Sequence, residues 1–267
     1  MCTCFDTLLL ALPLVLAFVF VHPTPAASQD KEPNEALLFA IREGDTGLVK
    51  AALKKGADAN AKDDDSLTAL MYAAMYAGAD CIEILLAQGA DPNAKSKSGV
   101  TALMLAIGQV EKVRLLLEKG AEVNAKSKQG HTALSIAASR AAGETSGKRG
   151  SAEVVEALLD HGADLSVANI LGAAARSGDI AVVKLLLERG ADPNSRNKIG
   201  GPAPMSAKRA SELNKSGGML TSPILGLPEN TDGTPLMYAA HAGNTEIIKL
   251  LLEKGADVNL KLRIVDK

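Results

Sequence analysis

Apolar residues along this chain fall into short helical runs that come in pairs, and each pair closes on a glycine. The second run of a pair is rich in Leu, Ile or Val: Ile84-Leu85-Leu86, Leu115-Leu116-Leu117, Val155 to Leu159, Leu185-Leu186-Leu187 and Leu250-Leu251-Leu252. The run before it is alanine-rich: Ala73-Ala74, Ala137-Ala138, Ala174-Ala175 and Ala239-Ala240. Gly-Ala-Asp or Gly-Ala-Glu then follows, starting at Gly56, Gly89, Gly120, Gly162, Gly190 and Gly255, with gaps of 33, 31, 42, 28 and 65 residues. A recurring step of this size predicts a stacked array of helix pairs rather than one closed core. Units are expected near 34–56, 63–89, 96–120, 127–162, 167–190 and 231–255.

Local chemistry accounts for the step. Thr68, Thr101, Thr132 and Thr234 stand where a hydroxyl accepts a backbone N–H at the start of the first helix. Pro235 follows at the first helical position, where its missing donor costs nothing. The glycine lies just past the second helix, where the chain must turn through a left-handed conformation that a Cβ would strain. Alanines keep the first helix thin, so units approach closely, and leucines of the second helix fill the space between them. A lone unit has no partner for its apolar faces, so stability must come from stacking.

Thr234-Pro235-Leu236-Met237-Tyr238-Ala239-Ala240 through Gly255-Ala256-Asp257-Val258-Asn259, with five similar units before it, resembles the ankyrin repeat family over residues 34–260. The resemblance implies an all-α solenoid of about six helix–turn–helix units with short finger turns. The family usually carries His as the fourth residue of its Thr-Pro-Leu-His motif; here Met71, Met104, Ser135 and Met237 stand there, so methionine packing is expected in place of that hydrogen bonding. The first unit, Glu35 to Lys55, lacks the Thr cap and is more polar, as a terminal unit should be. The third unit is two residues short around Gly108, and the fourth carries extra residues near Ala141 to Gly150. The turn between Gly162 and Asn169 is about five residues short. An insertion over 195–230, rich in Gly, Pro and Ser, predicts a flexible loop with a short helix over Ser206 to Leu213. Residues 261–267 form a C-terminal tail.

The first 28 residues differ in kind. They run apolar from Leu8 to Val21 and end in a Pro- and Ala-rich stretch. That run is short for a bilayer span of about 20 residues and predicts a signal peptide cut near Ala26, Ala27 and Ser28. Asp6 stands where a positive leader is usual. Cleavage would place the protein in the periplasm or outside the cell, with no membrane span left; without cleavage it would be membrane-anchored. Cys2 and Cys4 lie in that segment, leaving Cys81 at the start of a second apolar run, in the register of Ile247, where a packed side chain is expected rather than a reactive thiol.

Composition then narrows the partner. With 29 basic and 31 acidic residues there is no overall attraction to nucleic acid. Apolar residues make up 47% but aromatics only 3%, which suits narrow helices. No catalytic constellation emerges. His131, His161 and His241 fall in different units without metal-ligand spacing. Gly143-Glu144-Thr145-Ser146-Gly147-Lys148 is one residue short of a phosphate loop, and Arg149 stands where Ser or Thr is required. Asp63-Asp64-Asp65 reads as a solvated turn, lacking the alternation of a calcium loop. Neither cofactor nor metal is expected, nor an enzyme.

What the resemblance implies is a binding surface of finger tips and first-helix faces. Register carries it onto Arg42, Met75, Tyr76, Arg140, Arg176 and His241 on the helices and onto Lys95, Lys97, Lys126 and Lys128 in the fingers. Tyr76 and Met75 would serve as an apolar anchor beside a row of bases that suits an acidic patch on a protein partner; the alternative is that the lysines only keep the surface soluble. Three function classes follow: an exported, non-catalytic interaction module; a secreted effector that engages a foreign protein; and an enzyme working from the 195–230 loop, which lacks His, Cys and Asp.

Overall fold

The computed structural model describes residues 33–140, 150–166, 170–196, 231–261 and 263–264. The expected signal, the extra stretch of the fourth unit, the short helix over Ser206 to Leu213 and residues 197–230 of the insertion lie outside them. Within the described residues the chain forms successive helix pairs: α1 (Pro33–Glu43) with α2 (Thr46–Lys54), α3 (Ala69–Tyr76) with α4 (Ala79–Ala87), and α5 (Ala102–Leu105) with α6 (Val110–Glu118). Then come α7 (Ala133–Ser139) with α8 (Gly150–Asp160), α9 (Ile170–Ser177) with α10 (Ile180–Glu188), and α11 (Pro235–His241) with α12 (Thr245–Glu253). First helices pack on first helices in chain order and second helices on second helices, giving two layers. This is the all-α ankyrin solenoid. The exception to helix is a two-residue antiparallel pair, β1 (Thr231–Asp232) with β2 (Arg263–Ile264), which ties part of the expected tail to the entrance of the last unit.

First helices α3, α5, α7 and α11 begin as their sequence dictates. Thr68, Thr101, Thr132 and Thr234 accept from the backbone N–H three residues on, at 3.3, 3.5, 3.2 and 3.4 Å. Met71 completes its cap by accepting the Thr68 N–H at Sδ, and Ser135 does so through Oγ. Met71 and Met104 are buried, filling the space expected of them. Asp45, Asp179 and Asn244 cap second helices. Gly56, Gly89, Gly120, Gly162, Gly190 and Gly255 all turn at φ between 83° and 93°. In the shortened third unit α5 spans one turn and continues as a 3-10 turn over Ala106–Gly108.

Packing between units is made by buried alanines, Ala73, Ala74, Ala137, Ala138, Ala174 and Ala175, against Leu70, Leu103, Leu134, Ile82, Leu85, Leu116, Leu158 and Leu186. Cys81 is fully buried, and burial pushes its thiol above the ordinary value. Its register, eight residues before the turn glycine, is also buried at Val154, Val182 and Ile247. In the first unit the same position is Leu48, which is 49% exposed because no earlier unit covers it among the described residues. Asn34 closes the turn side of that end by accepting the Asp58 N–H at 2.8 Å.

An asparagine four residues past the turn glycine clasps the next unit. Asn60 donates to the Gly89 carbonyl and accepts from the Asp91 N–H; Asn93 does the same to Gly120 and Glu122, and Asn124 to Gly162 and Asp164. Asn194 reaches Gly255 and Asp257 in the same way, although 195–230 intervenes in sequence. Ser166 stands at this step in the fourth unit and is too short to bridge. Arg189 instead joins the fourth and fifth units through Asp160 at 2.8 Å and Glu156 at 3.8 Å.

Two glycines separate conformational from steric cost. At Gly89 an added Cβ meets nothing within 4 Å, so Gly89→Ala should lose about 1 kcal/mol from φ alone. At Gly99, φ +76°, the Cβ would lie 2.9 Å from the Lys128 backbone nitrogen, so Gly99→Ala should lose more and loosen the finger contact. Urea unfolding of both variants measures the difference.

Candidate protein-binding face

Thin first helices leave their outer ends and the fingers on one side of the stack. Arg42 lies in the last turn of α1 and is exposed; Met75 and Tyr76 end α3, half-buried and 58% exposed. Arg140 follows α7 half-buried, Arg176 on α9 is exposed, and His241 ends α11 exposed. Lys95, Lys97, Lys126 and Lys128 are all exposed, alternating with buried Ser96 and Ser127, whose hydroxyls accept from Val100 and His131 N–H groups. The fingers are laced together: Lys97 N–H donates to the Asp65 carbonyl at 3.1 Å, and Lys128 N–H to the Ser98 carbonyl at 2.9 Å.

Sequence reading missed residues that organise this face. Phe39 and Tyr72 hold the same register, 17 residues before the turn glycines Gly56 and Gly89, and α1 packs on α3, so both lie on the row that carries Tyr76. Phe39 is 48% exposed, and the Tyr72 and Tyr76 rings lie 6.1 Å apart. Asp63 is a correction: it is no freely solvated turn acid. Its carboxylate accepts the Tyr72 hydroxyl at 2.7 Å and the Asp65 and Leu67 N–H groups at 2.9 and 2.8 Å. Partial burial would raise Asp63, but these three hydrogen bonds and the charge of Lys97 outweigh it and hold the carboxyl below its usual range. The same bond from Asp63, with burial, raises Tyr72. The signal was present, since an acid five residues before the Thr cap faces an aromatic four residues after it. Tyr238 repeats that register in α11; its buried hydroxyl has no hydrogen-bond partner among the described residues, and the position matching Asp63 is Glu229, outside them.

Lys112 was also unforeseen. It occupies the Cys81 register in α6, is 1% exposed, and donates from Nζ to the Ala74 and Ala73 carbonyls at 3.0 and 3.4 Å, capping the end of α3 from the next unit. Burial holds its amine below the usual lysine range, with a smaller opposing effect from Cys81. Among the described residues no group of three or more His, Cys, Asp or Glu is placed to hold a metal ion, and no helix is long and apolar enough to cross a membrane.

The family model for ankyrin repeats in three copies matches residues 11–96, 37–127, 78–169 and 125–197, and the single ankyrin repeat model matches 232–262. The chain belongs to the ankyrin repeat family. Repeats of this class generally act as protein–protein interaction modules and are typically non-catalytic. No curated protein matches the chain.

Lys112 gives a signed pH dependence. Its folded form binds the proton more weakly than the unfolded chain does. Between the folded value and the ordinary 10.5 only the unfolded state holds that proton, so this group adds stability as pH rises through the window. Lys112→Met should flatten that rise; because the Cys81 thiol acts oppositely and is coupled to the amine, the comparison is made in a Cys81→Ala background. At neutral pH Lys112→Ala should cost about 2–4 kcal/mol, and volume-keeping Lys112→Met should stay within about 1.5 kcal/mol of the parent. Urea unfolding from pH 7 to 10.5 measures both.

Proposed function

We propose that the protein is an exported, non-catalytic docking module that holds a partner protein by an acidic patch laid over the lysine fingers and the ends of the first helices. The observation that carries this reading is the set Lys95, Lys97, Lys126 and Lys128, exposed on adjacent fingers whose backbones are joined by the Lys128 N–H bond to the Ser98 carbonyl. A backbone fixed in this way lowers the ordering cost of binding at the fingers. Opposite charge on the partner would speed encounter and select against basic competitors. The apolar leader over residues 1–28 supports export, and the mature chain would then meet its partner in the periplasm or outside the cell.

Changing all four lysines to Glu should weaken capture of the native partner at least tenfold, and raising salt should weaken the parent in the same direction. Affinity capture from the native compartment, quantified for parent and variant, reads this; unchanged retention rejects the acidic-patch reading. N-terminal sequencing of the protein recovered there is expected to start near Ala27 to Gln29, and an intact Met1 start would reject the cleaved leader.

A further inference from the structure

We infer that the partner presents a linear segment that seats an apolar side chain on the Phe39, Tyr72 and Tyr76 surface and carries its acidic residues about three to six positions away, over Lys97 and Lys128. This rests on the first-helix and finger face being the docking face. The described residues contain four aromatic side chains, and three of them share α1 and α3, whereas the fourth, Tyr238, is buried in the last unit. Tyr76 and Phe39 are about half exposed, and Tyr72 is held rigid by its bond to Asp63. Rigid, amphipathic rings of this kind bind with little loss of side-chain freedom.

A chain of contacts joins this anchor to the bases: Tyr76 to Tyr72 ring, Tyr72 hydroxyl to Asp63, and the Asp63–Asp65 turn to Lys97 through the Asp65 carbonyl. Lys128 then follows on the next finger through Ser98. Charge therefore changes along the face. The finger beside the aromatic rows carries exposed Lys62 with Asp64 and Asp65, and α1 ends in exposed Arg42 and Glu43, so acids outnumber bases near the rings; the next two fingers carry Lys95 with Lys97 and Lys126 with Lys128. An acidic residue next to the anchoring side chain would meet this excess of acids, whereas one displaced toward the third and fourth units meets Lys95, Lys97, Lys126 and Lys128 against Asp91 and Glu122, an excess of bases. Packed helices lie about 8–10 Å apart, and an extended segment advances about 3.3 Å per residue. One to two units of displacement thus correspond to about three to six residues.

The test uses the full-length mature chain and three synthetic peptides of equal length, the first two of equal composition, followed by fluorescence anisotropy at low and physiological salt. In the first, one Leu is flanked on both sides by Glu pairs about four residues away. In the second the Glu pairs adjoin the Leu. In the third the Leu is replaced by Gly. The first is expected to bind at least tenfold more tightly than either other peptide, and to lose that advantage with Tyr76→Ala. A double Lys97→Glu, Lys128→Glu variant should lose it as well. Tyr72→Phe, which keeps the ring and removes the bond to Asp63, should weaken it by a smaller factor, with circular dichroism confirming that each variant is folded. Equal binding of the three peptides, no binding of the first, or indifference to Tyr76→Ala overturns the inference. Lysine-dependent capture of the native partner is read separately, so its outcome distinguishes a wrong segment from a wrong docking face.

Discussion

Contact between neighbouring units is the constraint from which the remaining structure follows. Each helix pair packs within itself and against the pair before and after it, so a chain with 3% aromatic residues builds an extended core from small contacts repeated many times. The asparagine clasp fixes the register of those contacts, since one amide both donates to the turn-glycine carbonyl and accepts the N–H two residues later in the next unit. Where Ser166 removes the clasp, Arg189 spans the same junction from the second-helix layer through Asp160 and Glu156. Ion pairs so exposed contribute little and weaken with salt, which makes that junction chemically different from those held by Asn60, Asn93, Asn124 and Asn194.

The third unit shows how a deletion is accommodated. Loss of two residues shortens α5 to one turn, and Lys112, at a register held by Cys81, Val154, Val182 and Ile247 elsewhere, carries a cation into the interface. Its partners are carbonyls at the end of α3, where the helix dipole favours positive charge. A buried amine satisfied only by carbonyls is costlier than a valine would be, but its removal would strip the Ala74 carbonyl of that bond.

Docking capacity comes from the same stacking. Because first helices are thin, fingers lie close enough for Lys97 and Lys128 to bond the preceding turns through their backbones, which spreads their charges along one edge. Aromatic side chains at the first two units and acids in the intervening turn give that edge a direction, with an apolar end and a basic end. A uniformly basic strip would hold any polyanion; the proposed segment would match the order of this one.

Much of the fold was legible in sequence because capping and turn chemistry are local: Thr68, Thr101, Thr132 and Thr234 cap, and the repeated glycines turn left-handed, for reasons contained within four residues of each. The fingers and helix ends that carry Lys95, Lys97, Lys126, Lys128 and Tyr76 were likewise set by register. Sequence could not say that Asp63 holds Tyr72, that Lys112 lies inside an interface, or that Phe39 and Leu48 remain uncovered at the first unit. Those outcomes depend on which groups from other turns and units come within hydrogen-bonding or van der Waals reach, and a charge in water and a charge among carbonyls share the same letter in the chain. Helix identity was fixed by nearest neighbours along the backbone; the environment of each side chain was decided by its neighbours in space.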